Sequence, residues 1–112
     1  MKTDLTWKDF QKVDMRVGTI ISAEIFEEAK QPAYKMLVDL GEFGIKKTSA
    51  QITELYKPDD LIGKQTVVVI NFPKKQIANM MSECLVLGAV GEQKQITIIQ
   101  PESKVKNGTK IG

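Results

Sequence analysis

Two lysines and two methionines share one short stretch of this chain, Asn71-Phe-Pro-Lys-Lys-Gln-Ile-Ala-Asn-Met-Met-Ser-Glu-Cys-Leu85. Cations beside large apolar side chains suit a partner that is anionic, extended or partly apolar. Lys74 and Lys75 are placed to meet phosphates or an acidic peptide, although adjacent lysines on a loop also serve as solvent-facing gatekeepers. Ile77, Met80 and Met81 offer apolar contact, the thioethers adapting to varied shapes, and at least one methionine is expected to pack beneath the loop. Asn71 and Ser82 flank the stretch, where they either touch a ligand or tie up the loop's own backbone. Glu83 lies close enough in sequence to neutralise the lysines.

Other chemistry is poorly supplied. The chain has no histidine, which removes the commonest general base and the commonest neutral metal ligand together. Its one cysteine, Cys84, lies in an apolar run with no base nearby, so a buried thiol in a reducing compartment is expected rather than a nucleophile. Asp59-Asp60 follows a proline and reads as a turn rather than a cation site. No nucleophile–base pair supports a hydrolase, and nothing calls for a cofactor. The residues point to a non-enzymatic binding module.

The elements that must position this stretch are mostly strands. Gln65 to Phe72 and Glu83 to Val90, on either side of it, are apolar and rich in β-branched residues, the pattern of buried strands. Pro73 cannot donate to a ladder and the lysines resist burial, so residues between them must leave the sheet as a loop. Upstream, Leu5-Thr-Trp-Lys-Asp-Phe10 predicts a short helix with Thr6 as N-cap, Asp9 in its first turn, and Leu5 and Phe10 forming a staple. Val17 to Phe26 follows as a long first strand, with Val17, Thr19, Ile21, Ala23 and Ile25 on one face and Gly18 marking a bulge or bend. Tyr34 to Leu40 and the run from Ile45 form a hairpin across Gly41-Glu-Phe-Gly44. Ser49 to Tyr56 reads as one or two helical turns stopped at Pro58. Gly91-Glu-Gln-Lys94 turns into a last strand, Ile96 to Gln100, and Asn107-Gly108 is a hairpin signal in the polar tail. Trp7 and Phe10 either close the end of the barrel or enter a dimer seam, the first being favoured.

The 112 residues suit one domain, 1–112, with one core and a size at which a subunit interface would help. No apolar run is long enough to span a bilayer, and no secretory signal is visible, which predicts a cytoplasmic protein without membrane insertion. The formal charge of +2 is uneven: residues 1–42 carry 6 basic and 8 acidic groups, residues 43–82 carry 6 and 3. That asymmetry permits an anionic partner without demanding one. Five main strands, a short helix between the third and fourth, and a bent first strand predict an all-β, five-stranded oligonucleotide/oligosaccharide-binding barrel, with the central stretch as its strand 4 to 5 loop.

Val13-Asp-Met-Arg-Val-Gly-Thr-Ile resembles the LDIRVGKI opening of the tRNA-binding domain family, which is fused to several aminoacyl-tRNA synthetases and to endothelial monocyte-activating cytokines. Ser49-Ala-Gln-Ile, Tyr56-Lys-Pro, Asn71-Phe-Pro, Ser82-Glu-Cys-Leu-Val-Leu-Gly and Asn107-Gly-Thr-Lys-Ile-Gly112 resemble its short, free-standing members, the CsaA-type secretion chaperones. The resemblance implies the same barrel, a homodimer, and binding of unfolded preproteins for export. It further implies the translocation motor as a candidate partner and a residual affinity for tRNA. Ser49, Asn71 and Ser82 fall where the tRNA binders carry Ser, Asn and Ser. Where those relatives usually have Arg, Gly, Lys, Gln and Gly, this chain has Ala78, Asn79, Met81, Glu83 and Cys84. Two cations are lost and one anion gained, and each lost phosphate contact lowers the salt slope of RNA binding by roughly 0.7 to 0.9. The loop is expected to favour polypeptide over RNA.

Overall fold

The computed structural model describes residues 2–112. Its axis is β1 (Met15–Ile25), which pairs antiparallel with β2 (Tyr34–Asp39), β4 (Gln65–Val69) and the short C-terminal β10 (Lys110–Ile111). With β3 (Ile45–Ala50) beyond β2 and β7 (Leu85–Val86) beyond β4, the sheet runs β3-β2-β1-β4-β7. The residues before β7 curl back onto β3. Glu83 N donates to Lys47 O at 2.8 Å, Lys47 N donates to the Glu83 carboxylate at 3.0 Å, and Thr48 Oγ1 donates to Cys84 O at 2.7 Å. That contact brings the two ends of the sheet together, and the expected all-β, five-stranded barrel forms with two short helices.

The barrel core holds Ile20, Met36, Val38, Leu40, Ile52, Leu61, Val68, Cys84 and Ile98. Ile20 rather than Ile21 faces it, because the β1–β2 register shifts between Ile20 and Ser22. The extra residue bends the strand and reverses its parity, so the single face expected from Val17 to Ile25 does not exist; Ile21 and Ile25 are exposed. Gly18 is not the bulge. A Cβ there would stand 2.6 Å from Val38 Cγ1 and 2.8 Å from Leu40 Cδ2, so its missing side chain lets β2 approach.

Other residues of Val13–Ile20 hold the C-terminal segment to β1. Arg16 Nε donates to the Asp14 carboxylate at 2.7 Å, Arg16 Nη1 donates to Gly108 O, and the guanidinium lies 4.4 Å from the centre of the Phe43 ring. Asn107-Gly108 therefore makes no hairpin of its own. Gly108 N donates to Val17 O, and Asn107 Oδ1 accepts from Thr19 and Gln65.

Helix α1 (Trp7–Gln11) has the expected cap, Asp9 N donating to Thr6 Oγ1 at 3.1 Å. Trp7 does not close the barrel, however, since it is 82% exposed, and Leu5 at 69% buries too little to staple the helix. The second short helix, α2 (Pro58–Leu61), starts at the proline that was expected to stop it. Pro suits a first helical position, and the Asp60 carboxylate accepts from Lys57 N at 2.9 Å, which gives that carboxylate a capping role. Ser49 and Ala50 instead complete β3, because six residues of ladder with β2 outweigh the weak helical spacing of Ile52, Leu55 and Tyr56. The strand expected over Glu83 to Val90 divides between two partners, β7 on β4 and β8 (Gly88–Val90) on β9 (Ile96–Ile98).

Candidate functional site

Beyond β4 the chain leaves the barrel at Asn71, whose side chain turns back toward α1. Asn71 Nδ2 donates to Lys12 O at 2.6 Å and Oδ1 accepts from Asp14 N at 2.9 Å, so it fixes the junction of α1 and β1 and does not frame the loop. The expected open loop is a two-stranded hairpin, β5 (Lys75–Ile77) against β6 (Met80–Ser82), closed by Ala78 and Asn79. Ala78 takes a φ of 49° in this tight turn, and Asn79 Nδ2 donates to the Glu28 carboxylate in the β1–β2 connection at 3.3 Å. Three-residue runs of alternating character had no chance to declare themselves as strands in the sequence.

The charges are arranged largely as anticipated. Glu83 lies 3.7 Å from Lys74 Nζ, and its carboxyl is held below the usual 4.5, first by the Lys47 N–H and then by the nearby lysines, against the opposing effect of burial. Lys75 has no ion pair among the described residues. Ser82 Oγ accepts from Ser49 N at 3.4 Å and lies 3.4 Å from Thr48 Oγ1, bracing the root of the hairpin on β3. Neither Met80 nor Met81 joins the core, against the expectation for at least one.

Between the hairpin, the end of β3 and the β7–β8 segment lies a groove of about 960 Å³. Ser49, Lys75, Ile77 and Ser82 line it, whereas Asn71, Lys74, Met80, Met81 and Glu83 do not. Its apolar surface comes mainly from residues that sequence reasoning assigned elsewhere. Phe72 and Pro73 were read only as a strand end and a breaker. Leu85 and Val90 were read as buried strand, yet they are 46% and 82% exposed. The available signal was the aromatic residue set between Asn71 and Pro73, where it cannot stay in the sheet. Gln51, Ile52 and Thr53 form the opposite wall, and Lys75, Lys94 and Glu54 bring charge to a lining that is mostly apolar with a few neutral polar side chains. Cys84 sits in the groove wall with its thiol pushed up to about 11 by burial, so it is neutral and unreactive near pH 7. The site can hold an apolar, extended ligand.

Comparison with known proteins gives concordant matches. The family described as "Putative tRNA binding domain" matches residues 15–110. The methionine–tRNA ligase of Methanococcoides burtonii is 37% identical over 107 residues, 96% of this chain but only 16% of the ligase. The chain thus spans about a sixth of the length of the curated relatives it matches. The crystal structure of the chaperone CsaA from Bacillus anthracis superposes with a TM-score of 0.94 at 47% identity, covering 98% of this chain and 100% of that one. The CsaA chaperone of Picrophilus torridus gives 0.91 at 45% identity, covering 97% and 100%.

Proposed function

The chain belongs to the tRNA-binding domain family, and from that membership we propose that it is a non-enzymatic chaperone whose groove holds unfolded, export-destined polypeptide segments. The observation that carries this reading is the lining of the groove, apolar along most of its length and with Lys74 turned to Glu83 outside it. End-to-end similarity to two CsaA chaperones supports it, whereas similarity to methionine–tRNA ligases touches a small part of those enzymes. Binding is by burial and adaptable contact, with no covalent step. The chain acts in the cytoplasm as a homodimer that presents two grooves, so that one client chain is held by avidity. Trp7 on α1 and Leu5 just before it, both exposed, supply apolar surface for that seam. The translocation motor would take the client onward.

A second reading, tRNA binding, is favoured by one arrangement. Lys35 and Lys47 stand at outward positions of β2 and β3, and Lys75 on β5 lines the groove, so basic side chains lie on the barrel's outer face, Lys35 pairing with Glu24 at 3.3 Å. Here RNA is a weaker ligand held by charge. The experiment is a competition in which bulk tRNA is titrated against a bound fluorescent unfolded peptide, at low and at physiological salt. Displacement by tRNA only at low salt is expected. Failure of the peptide to bind at either salt, with tRNA bound at both, contradicts the chaperone reading.

A further inference from the structure

The closure of the barrel along β3 reaches only as far as Ser49. In an antiparallel ladder, alternate residues turn their backbone groups to opposite sides. Lys47 turns its N–H and C=O away from β2 and gives both to Glu83. Ser49, next in that row, has its N–H taken by Ser82 Oγ. At Ser82 the closing segment departs into the hairpin, and the row continues bare. The N–H and C=O of Gln51 and the N–H of Thr53 find no hydrogen-bond partner among the described residues, and both residues line the groove.

We propose that the groove takes its polypeptide as an added strand, the ligand's main chain pairing with Gln51 and Thr53 where the closing segment stops. This rests on the chaperone reading above and specifies how it is achieved. Strand addition draws affinity from main-chain hydrogen bonds and leaves alternate side chains to pockets. Here those side chains meet Ile77 and Leu85, so the site asks for an extended segment with alternating apolar residues rather than a set sequence. A peptide backbone both donates and accepts, matching the bare N–H and C=O of Gln51. Phosphate only accepts and would leave that carbonyl unfilled, and Phe72 is the one aromatic ring in the described lining on which a base could stack.

The test uses a short fluorescein-labelled peptide in which leucine alternates with serine and glutamate, made in three forms: unmodified, N-methylated at even positions, and N-methylated at odd positions. A strand offers hydrogen bonds to its neighbour from one parity only. One methylated form should therefore bind at least roughly fivefold more weakly for each bond blocked, and the other as the parent does. Equal binding by both forms overturns strand addition and leaves the chaperone reading standing; failure of the parent to bind overturns both. Amide exchange is read in parallel. The Gln51 and Thr53 amides should be protected by the peptide, and protection of them by bulk tRNA instead would assign the edge to RNA and overturn the proposal. Gln51→Pro, which deletes one donor at an exposed residue just beyond β3, should weaken peptide binding roughly fivefold without altering tRNA binding.

Discussion

Replacing Glu83 with alanine removes one of the three hydrogen bonds that join the two ends of the sheet, the one its side chain makes. Its carboxylate accepts from Lys47 N at 3.0 Å with 22% of the side chain exposed, and it faces a Lys74 side chain that is 66% exposed. A hydrogen bond to a charged acceptor contributes about 1.5 to 3 kcal/mol, and partial exposure places this one at the lower end. The exposed ion pair adds at most a few tenths. Glu83→Ala should then cost about 1.5 kcal/mol, a fall in Tm of roughly 6 °C for a chain this size. Glu83→Gln, which keeps a neutral acceptor, should cost about half as much. Because the folded carboxyl is held below 4.5, its contribution is present above that value and is lost as pH falls through the depressed one. Thermal unfolding followed by circular dichroism at pH 7 and in acid checks both parts. The wild-type advantage over Glu83→Gln should vanish in acid; an advantage that persists there, or a Glu83→Ala cost near zero at pH 7, refutes the account of barrel closure.

Gly18→Ala should destabilise by about 1 to 3 kcal/mol in denaturant unfolding, since the added methyl meets Val38, Leu40 and the Asp39 carbonyl within 3.0 Å. The Cys84 thiol should resist thiol-specific reagents at pH 8 until the protein unfolds. With its folded value raised from 9.0 to about 11, its contribution to stability is full below pH 9 and is lost as pH rises through about 11, which pH-dependent unfolding of Cys84→Ser against wild type measures. In the proposed homodimer Trp7, the only tryptophan, should show blue-shifted emission at concentrations where sedimentation reports a dimer and red-shifted emission on dilution; emission independent of concentration while sedimentation reports dissociation excludes it from the seam.

How much of this was legible depended on how far each signal ran along the chain. The barrel was, because strands such as β2 and β4 carry their pattern over five or six residues and Gly, Pro and Lys mark their ends. The parity of β1 was not, because a bulge at Ile21 leaves no trace beside the more conspicuous Gly18. Residues 49 to 56 misled in the opposite direction, Ser49 and Ala50 being taken by long-range pairing with β2 and only a turn forming over residues 53 to 55. Of the residues lining the groove, Lys75 and Ile77 were legible as a cation and an apolar residue on a loop, Ser82 as a residue flanking that loop, and Ser49 only through the family resemblance. Phe72, Leu85 and Val90 were missed because an apolar residue reads as core until the sheet that should cover it is seen to part. Asn71 shows the converse: a polar residue at the edge of a binding stretch spends both side-chain groups on residues 12 and 14.

The most direct test of the groove as a polypeptide site is Ile77→Ser, which removes apolar surface from its lining without changing charge and lies outside the core. Affinities for unfolded peptide and for bulk tRNA would be measured on this variant at physiological salt. Loss of a half-buried isoleucine contact should weaken peptide binding by about tenfold, at roughly 1.4 kcal/mol, with tRNA affinity within twofold of wild type. Unchanged peptide binding, or a loss confined to tRNA, would contradict the account.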